Sequence, residues 1–171
     1  MRRPGDRRQR VEVLSEGLRG IHVRPATADD RGFVLGLVPR FAEFGLPPRH
    51  DPGQVLPAVG RSLDAALASP GGDAAVLVAE SDDERMGFVH VKTEKDYFSG
   101  EPRAYVSDVA VAPEAEGRGA GRALMGAAEA WARARGHRTI ALDVFAANAR
   151  ARAVYGRLGY EEDTVKMIKD L

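Results

Sequence analysis

Gly117, Gly119 and Gly121 stand at alternate positions between a strand-like run and a helix-like run, and this loop constrains the fold more than any other stretch. Upstream, Val106, Val109 and Val111 favour extended backbone. Pro113 has no N–H to give to a ladder, so it closes the strand. Downstream, residues 122–135 are rich in alanine, with Leu124, Ala128 and Trp131 at helical spacing. Glycine lets the backbone curl between the two runs and approach a ligand closely. A helix opening on such a loop presents unpaired N–H groups and a partial positive charge, which suits a phosphate.

Two common phosphate loops do not fit. A Walker loop carries a lysine and a Ser or Thr after its last glycine, but Arg122 and Ala123 follow Gly121. A dinucleotide fingerprint needs Gly or Ala three residues after its second glycine; Leu124 stands there, and too little chain follows for a second nucleotide-binding half. The stretch instead resembles the acetyl-CoA loop of the GNAT superfamily of N-acetyltransferases. It has a strand, Pro113-Glu114, then Glu116-Gly117-Arg118-Gly119-Ala120-Gly121 and Arg122-Ala123-Leu124. The family pattern is Arg or Gln, two residues, Gly, one residue, then Gly or Ala. Gly119 and Gly121 satisfy it; Glu116 does not.

A second stretch carries the same resemblance. In the family's second signature a strand leads to Asn, then Ala, then Tyr on a helix, then Gly and an aromatic. Here these are Asn148, Ala153, Tyr155 and Gly159-Tyr160. Each residue alone has a structural reading: Asn148 as an N-cap, Tyr155 as core. Two signatures in order, separated by one helix and one strand, carry the assignment.

Composition limits what else the chain could be. At 171 residues, 44% hydrophobic and 29% charged, it is expected to form one globular domain over residues 21–171. Residues 1–20 carry six arginines but little apolar periodicity and no aromatics. They are expected to be a basic, flexible extension rather than a nucleic-acid arm. A net charge of +0 gives no global field towards nucleic acid or an anionic membrane. No long apolar run and no signal peptide are evident, and cysteine is absent, which fits a cytoplasmic protein. The four histidines are scattered without metal-ligand spacing, so no metal is expected.

Taken in order, residues 21–24 read as a short strand ended by Pro25. Thr27 and Asp30 resemble a capping box. Phe33, Val34, Leu37, Val38 and Phe41 form an apolar helical stripe interrupted at Pro39. Asp51-Pro52 opens a second helix, which Pro57 should bend or shorten. Strands are predicted over 73–80, 86–95 and 103–112, then a helix closed by Gly136, a strand over 139–145, a helix over 149–158 and a final strand over 164–168. An antiparallel meander followed by a strand–helix–strand crossover predicts an α/β protein of the α+β type. Its sheet would be mixed and mostly antiparallel, with helices on both faces. This is also the element order of the GNAT fold.

The resemblance implies an acetyl-CoA-dependent N-acetyltransferase. It places the cofactor pyrophosphate on the backbone of Gly117, Arg118, Gly119, Ala120, Gly121 and Arg122, with Arg118 and Arg122 available as cations. It lays the pantetheine arm along Val109, Ala110 and Val111 like an added strand, with Asn148 contacting it where the sheet splays. Tyr155 takes the role of general acid at the sulfur, and Asp108 is the candidate base acting through water on the incoming ammonium. Asp108 could equally face solvent or sit in a bulge; Glu94, Asp96, Glu101 and Asp143 are lesser candidates. Without cysteine no thiol can carry the acetyl group, which favours direct attack in a ternary complex. Glu116 can accept hydrogen bonds but not donate them, and its side chain is expected to point to water.

The resemblance walls the acceptor site with residues 41–50 and 94–102. Phe41, Phe44, Tyr97 and Phe98 with Glu43, Glu94, Asp96 and Glu101 lean towards a cationic amine, on a small molecule or a protein. It also allows for a homodimer. The alternative function is a non-catalytic module of the same fold that binds CoA or acetyl-CoA as a signal.

Overall fold

The computed structural model describes residues 20–44 and 46–171, so the reading of the arginine-rich start, residues 1–19, lies outside the described residues. Among the described residues, five strands form one sheet in sequence order: β1 (His22–Pro25), β2 (Ala74–Ser81), β3 (Glu84–Lys95), β4 (Pro102–Val111) and β5 (Ile140–Leu142). The first four pair antiparallel, and β5 runs parallel to β4. The mixed sheet with helices predicted from the sequence is the observed one.

Between β1 and β2 lie α1 (Arg31–Gly36), a 3-10 segment (Val38–Ala42) and α2 (Pro52–Ala68). Pro39 divides the apolar stripe as predicted: α1 stops before it and the chain tightens into 3-10 turns. Pro57 does not shorten α2, which runs through it for 17 residues. Its neighbour in the turn before, Gly53, is exposed, so the carbonyl that Pro57 leaves without an N–H is solvated rather than orphaned.

Helices cover both faces of the sheet, which explains why Met86, Gly87, Phe88, Val89, His90 and Val91 of β3 are all buried. On one face Phe88 meets Phe41 of the 3-10 segment, ring centroids 6.4 Å apart. On the other lies α3 (Ala120–Ala134), which buries Leu124, Met125, Ala128 and Trp131. Gly87 marks the close approach: a Cβ there would fall 2.5 Å from the Ala110 carbonyl oxygen and 3.2 Å from Leu124 Cδ1. The fourth helix, α4 (Ala149–Arg157), follows β5.

The strand predicted over 164–168 does not form, and the sheet ends at β5. That edge is three residues long, shorter than the predicted 139–145, and offers few ladder groups to a further strand. Val165, Met167 and Ile168 are left exposed.

Asp30 is fully buried and fully paired. It accepts from Arg24 at 2.7 and 3.1 Å, from Arg85 at 2.7 Å and from the Thr27 amide at 2.7 Å. The Arg24 guanidinium holds its carboxyl well below the usual carboxylate range. A carboxyl so depressed contributes stability that is present above its unfolded pKa of about 4 and is lost as pH falls towards the folded value. Asp30→Asn keeps the shape but takes the carboxylate from Arg85 and leaves Arg24 with Glu80 alone. It should cost about 3 kcal/mol in urea melts at pH 7. The cost should shrink as the pH drops below about 4. A difference that stays constant down to pH ~2 would show that the charge is not what stabilises this corner.

Candidate active site

The two strands at the centre of the sheet fall out of register at one residue. His90 opposes Asp108 and Val91 opposes Val106, which leaves Ser107 as the extra residue of a β-bulge. The bulge turns Tyr105 and Asp108 to the same face, opposite Lys92 and His90. On its other edge β4 pairs with β5 only through Ala104, Tyr105 and Val106. Beyond Val106 the parallel strands part. The Ala112 amide donates to the Met86 carbonyl at 2.8 Å, towards β3. Backbone alternation then turns the Val109 and Val111 amides to the open edge, while Ala110 opposes Phe88 on the β3 side.

The glycine loop lies at the end of β4 where this gap opens. A 3-10 turn (Pro113–Ala115) leads into it, pinned by the buried Ala115. Gly117 and Gly119 have φ of +72° and +96°, a left-handed backbone that side chains resist. Gly119 is the N-cap of α3 and has no side chain to cap with. The amides of Ala120, Gly121 and Arg122 therefore have no intrahelical acceptor. Not every predicted group is open: the Arg118 amide donates to Ala115 at 3.3 Å, and its guanidinium reaches Glu84 at 3.2 Å. Arg122 is exposed and makes no ion pair among the described residues.

Glu116 does not point to water. Its carboxylate bridges Arg40 of the 3-10 segment and Arg150 of α4, the latter at 2.7 Å. Arg150 and then Arg40 lower its pKa below the usual glutamate value.

Asp108 is buried, and so is His90, whose Nδ1 lies 3.0 Å from Asp108 Oδ2. The imidazole N–H donates and the carboxylate accepts. Both face the side covered by Phe41, since His90 and Phe88 share one side of β3. Asp108 thus sits beside a bulge in a buried pair, not on the solvent face. Sequence reasoning missed His90. The only signal that pairs it with Asp108 is the strand register, which the bulge sets.

Asn148 caps α4, its side-chain oxygen accepting from the Ala151 amide at 3.0 Å. That leaves its amide nitrogen as a donor. The helix closes on Gly159, with the Gly159 amide donating to Gly156 and the Tyr160 amide to Tyr155. This is a Schellman motif, and it packs Tyr160 against Tyr155, ring centroids 5.9 Å apart. Burial pushes the Tyr155 phenol above its ordinary pKa.

The acidic side chains predicted around an acceptor are largely committed to internal pairs. Glu94 and Asp96 both take Arg103, each at 2.8 Å. Asp96 also accepts from the Ser99 amide and hydroxyl. Glu43 pairs with Arg40, and Asp143, a lesser candidate for the base, accepts from the Tyr105 hydroxyl at 3.1 Å. Glu101 is exposed, as are Tyr97 and Phe98, whose rings stack edge to face.

Comparisons with known proteins bear on the family and the fold. The sequence model described as the acetyltransferase (GNAT) family matches residues 49–160, from just before α2 to Tyr160. An aminoglycoside N(6')-acetyltransferase type 1 from Stenotrophomonas maltophilia is 35% identical over 103 residues, 58% of this chain and 67% of the relative. The N-acetyltransferase YhfO of Bacillus subtilis (strain 168), uncharacterized by its own description, is 28% identical over 144 residues, 84% of this chain and 92% of the relative. Among solved structures, the aminoglycoside N-acetyltransferase AAC(6')-Iy in complex with CoA superposes with a TM-score of 0.67. It is 23% identical and covers 92% of this chain and 99% of its own. The same enzyme with the bisubstrate analogue CoA-S-monomethyl-acetylneamine gives a TM-score of 0.66 at 22% identity, covering 88% and 98%. At these identities the structural likeness speaks for the fold.

Proposed function

The chain belongs to the GNAT family of N-acetyltransferases, and from that premise we propose that it moves the acetyl group of acetyl-CoA to a primary amine by direct attack in a ternary complex. The observation that carries the reading is the alignment of two sets of open backbone donors. The Val109 and Val111 amides face the gap between β4 and β5, and the amides at the start of α3 lie at the end of the same gap. An extended arm added to the β4 edge would leave its diphosphate at the helix start. CoA in the complex of the related AAC(6')-Iy is consistent with this.

Each chemical requirement then has a residue. A strand amide at the splay stabilises the charge developing on the carbonyl oxygen. The amide nitrogen of Asn148 holds the arm. Tyr155, kept protonated by burial, gives its proton to the departing sulfur. Asp108, fixed by His90, takes the ammonium proton through water before attack. The chain has no cysteine to carry the acetyl group covalently.

For the acceptor, the named relatives favour an amine of an aminoglycoside. Turnover of acetyl-CoA should be measured across aminoglycosides, polyamines and lysine peptides. Highest kcat/KM on an aminoglycoside supports the acceptor class; highest kcat/KM on peptides replaces it. Turnover with any amine sets aside a module that only binds CoA.

Cofactor binding should also stabilise the fold. At a hundred times its dissociation constant, a ligand bound to the native state alone adds about 2.7 kcal/mol. Thermal melts with acetyl-CoA, CoA and ATP test this. An equal response to ATP, or none to acetyl-CoA, speaks against the cofactor assignment.

A further inference from the structure

Glu116 is where the sequence departs from the family pattern, and it is also where three distant segments meet. Its two oxygens take Arg40, from the connection between α1 and α2, and Arg150, from the first turn of α4. Both guanidiniums lie over the ring of Phe44, at 5.0 and 5.1 Å from its centroid. The two arginines differ in what they have left to give. Arg40 is mostly buried and also holds Glu43, whereas the Arg150 side chain is 59% exposed and has this one carboxylate partner among the described residues.

A guanidinium carries five donors in a planar fork, so Arg150 can keep its bond to Glu116 and still present a second edge. Stacking on Phe44 and pairing with Glu116 fix the plane of that fork before any ligand arrives. Arg150 lies two residues beyond Asn148, at the α4 side of the gap, and Glu116 ties it to the segment that leads into the open amides of Ala120, Gly121 and Arg122. We propose that Arg150 is a side-chain cation for the diphosphate of the acyl donor, and that Glu116 is its positioning residue, with Phe44 as the platform. The donor that the family pattern places at position 116 would then be supplied from α4. This rests on the acetyl-CoA reading above.

The sign of the Glu116 effect separates this from simple charge repulsion. A carboxylate that merely faced phosphate would weaken binding, and its removal would tighten it. A positioning carboxylate gives the opposite result. CoA binding to the full chain should be measured by calorimetry for wild type, Arg150→Gln, Glu116→Ala and the double variant. Arg150→Gln should weaken CoA by about tenfold, roughly 1.4 kcal/mol. Glu116→Ala should weaken it by about threefold and add almost nothing in the Arg150→Gln background, because the two act as one unit.

Acetyl-pantetheine, which lacks the phosphates, supplies the readout that a merely structural role would not give. With it as acyl donor, kcat/KM of Arg150→Gln should match wild type. Three results overturn the proposal alone: CoA affinity kept within twofold in Arg150→Gln, tighter binding in Glu116→Ala, or equal losses with both donors. Absence of CoA binding in the wild-type chain overturns the acetyl-CoA reading, and the proposal with it.

Discussion

Replacing Tyr155 by phenylalanine should lower turnover by roughly 10² to 10⁴-fold, the usual range for a positioned acid, with CoA affinity almost unchanged. The ring stays, so its packing against Tyr160 and the closure of α4 on Gly159 are preserved. Only the proton is lost. Burial raises the phenol pKa, so Tyr155 stays protonated throughout the neutral and mildly alkaline range in which amines are acetylated. The loss should be smaller with acyl donors whose thiol leaves readily without a proton. Full turnover in the variant, with a normal pH profile, would remove Tyr155 from the acid role and leave it as the partner of Tyr160.

Asp108→Asn should lower turnover by roughly 10²-fold near neutral pH, with partial recovery as the pH rises. Asparagine keeps the shape and can still accept from His90, so the pair at the bulge survives the change. What it cannot do is take a proton. The deficit should therefore be largest at low pH, where the acceptor is an ammonium, and smallest where the free amine predominates. His90→Gln offers a second view. It leaves the carboxylate in place but loosens its orientation, so it should reduce kcat more than it raises KM. An Asp108→Asn enzyme with an unaltered pH profile would return the pair to a structural role and move the search for a base to other groups near the splay.

Much of the architecture was legible because it depends on short-range requirements. Asp51-Pro52 and Asn148 open helices through a side-chain cap or a fixed φ. Gly136 and Gly159 close helices because each adopts a positive φ that other residues resist. Pro39 divides an apolar stripe wherever the stripe lies. The glycine loop belongs to this group, since its left-handed glycines and uncapped helix start follow from a handful of adjacent residues.

Local signals failed where partners had to be supplied from elsewhere. Residues 164–168 have the alternation of a strand, yet a strand exists only where a neighbour offers a ladder, and β5 is three residues long. Pro57 breaks a local rule, but the carbonyl it deprives lies at an exposed turn. The bulge at Ser107 reflects pairing along whole strands, and it alone brings His90 across from Asp108. Glu116 could be read as a departure from a pattern but not as an ion-pair centre, because Arg40 and Arg150 lie 76 and 34 residues away in sequence. The sequence by itself determined the loop, the caps and the order of elements as far as α4, since backbone sterics and nearest-neighbour hydrogen bonds act within a few residues. The tertiary structure decided the register, the buried pair and the arginine clasp, because each depends on which distant surfaces the packed core brings within hydrogen-bonding distance.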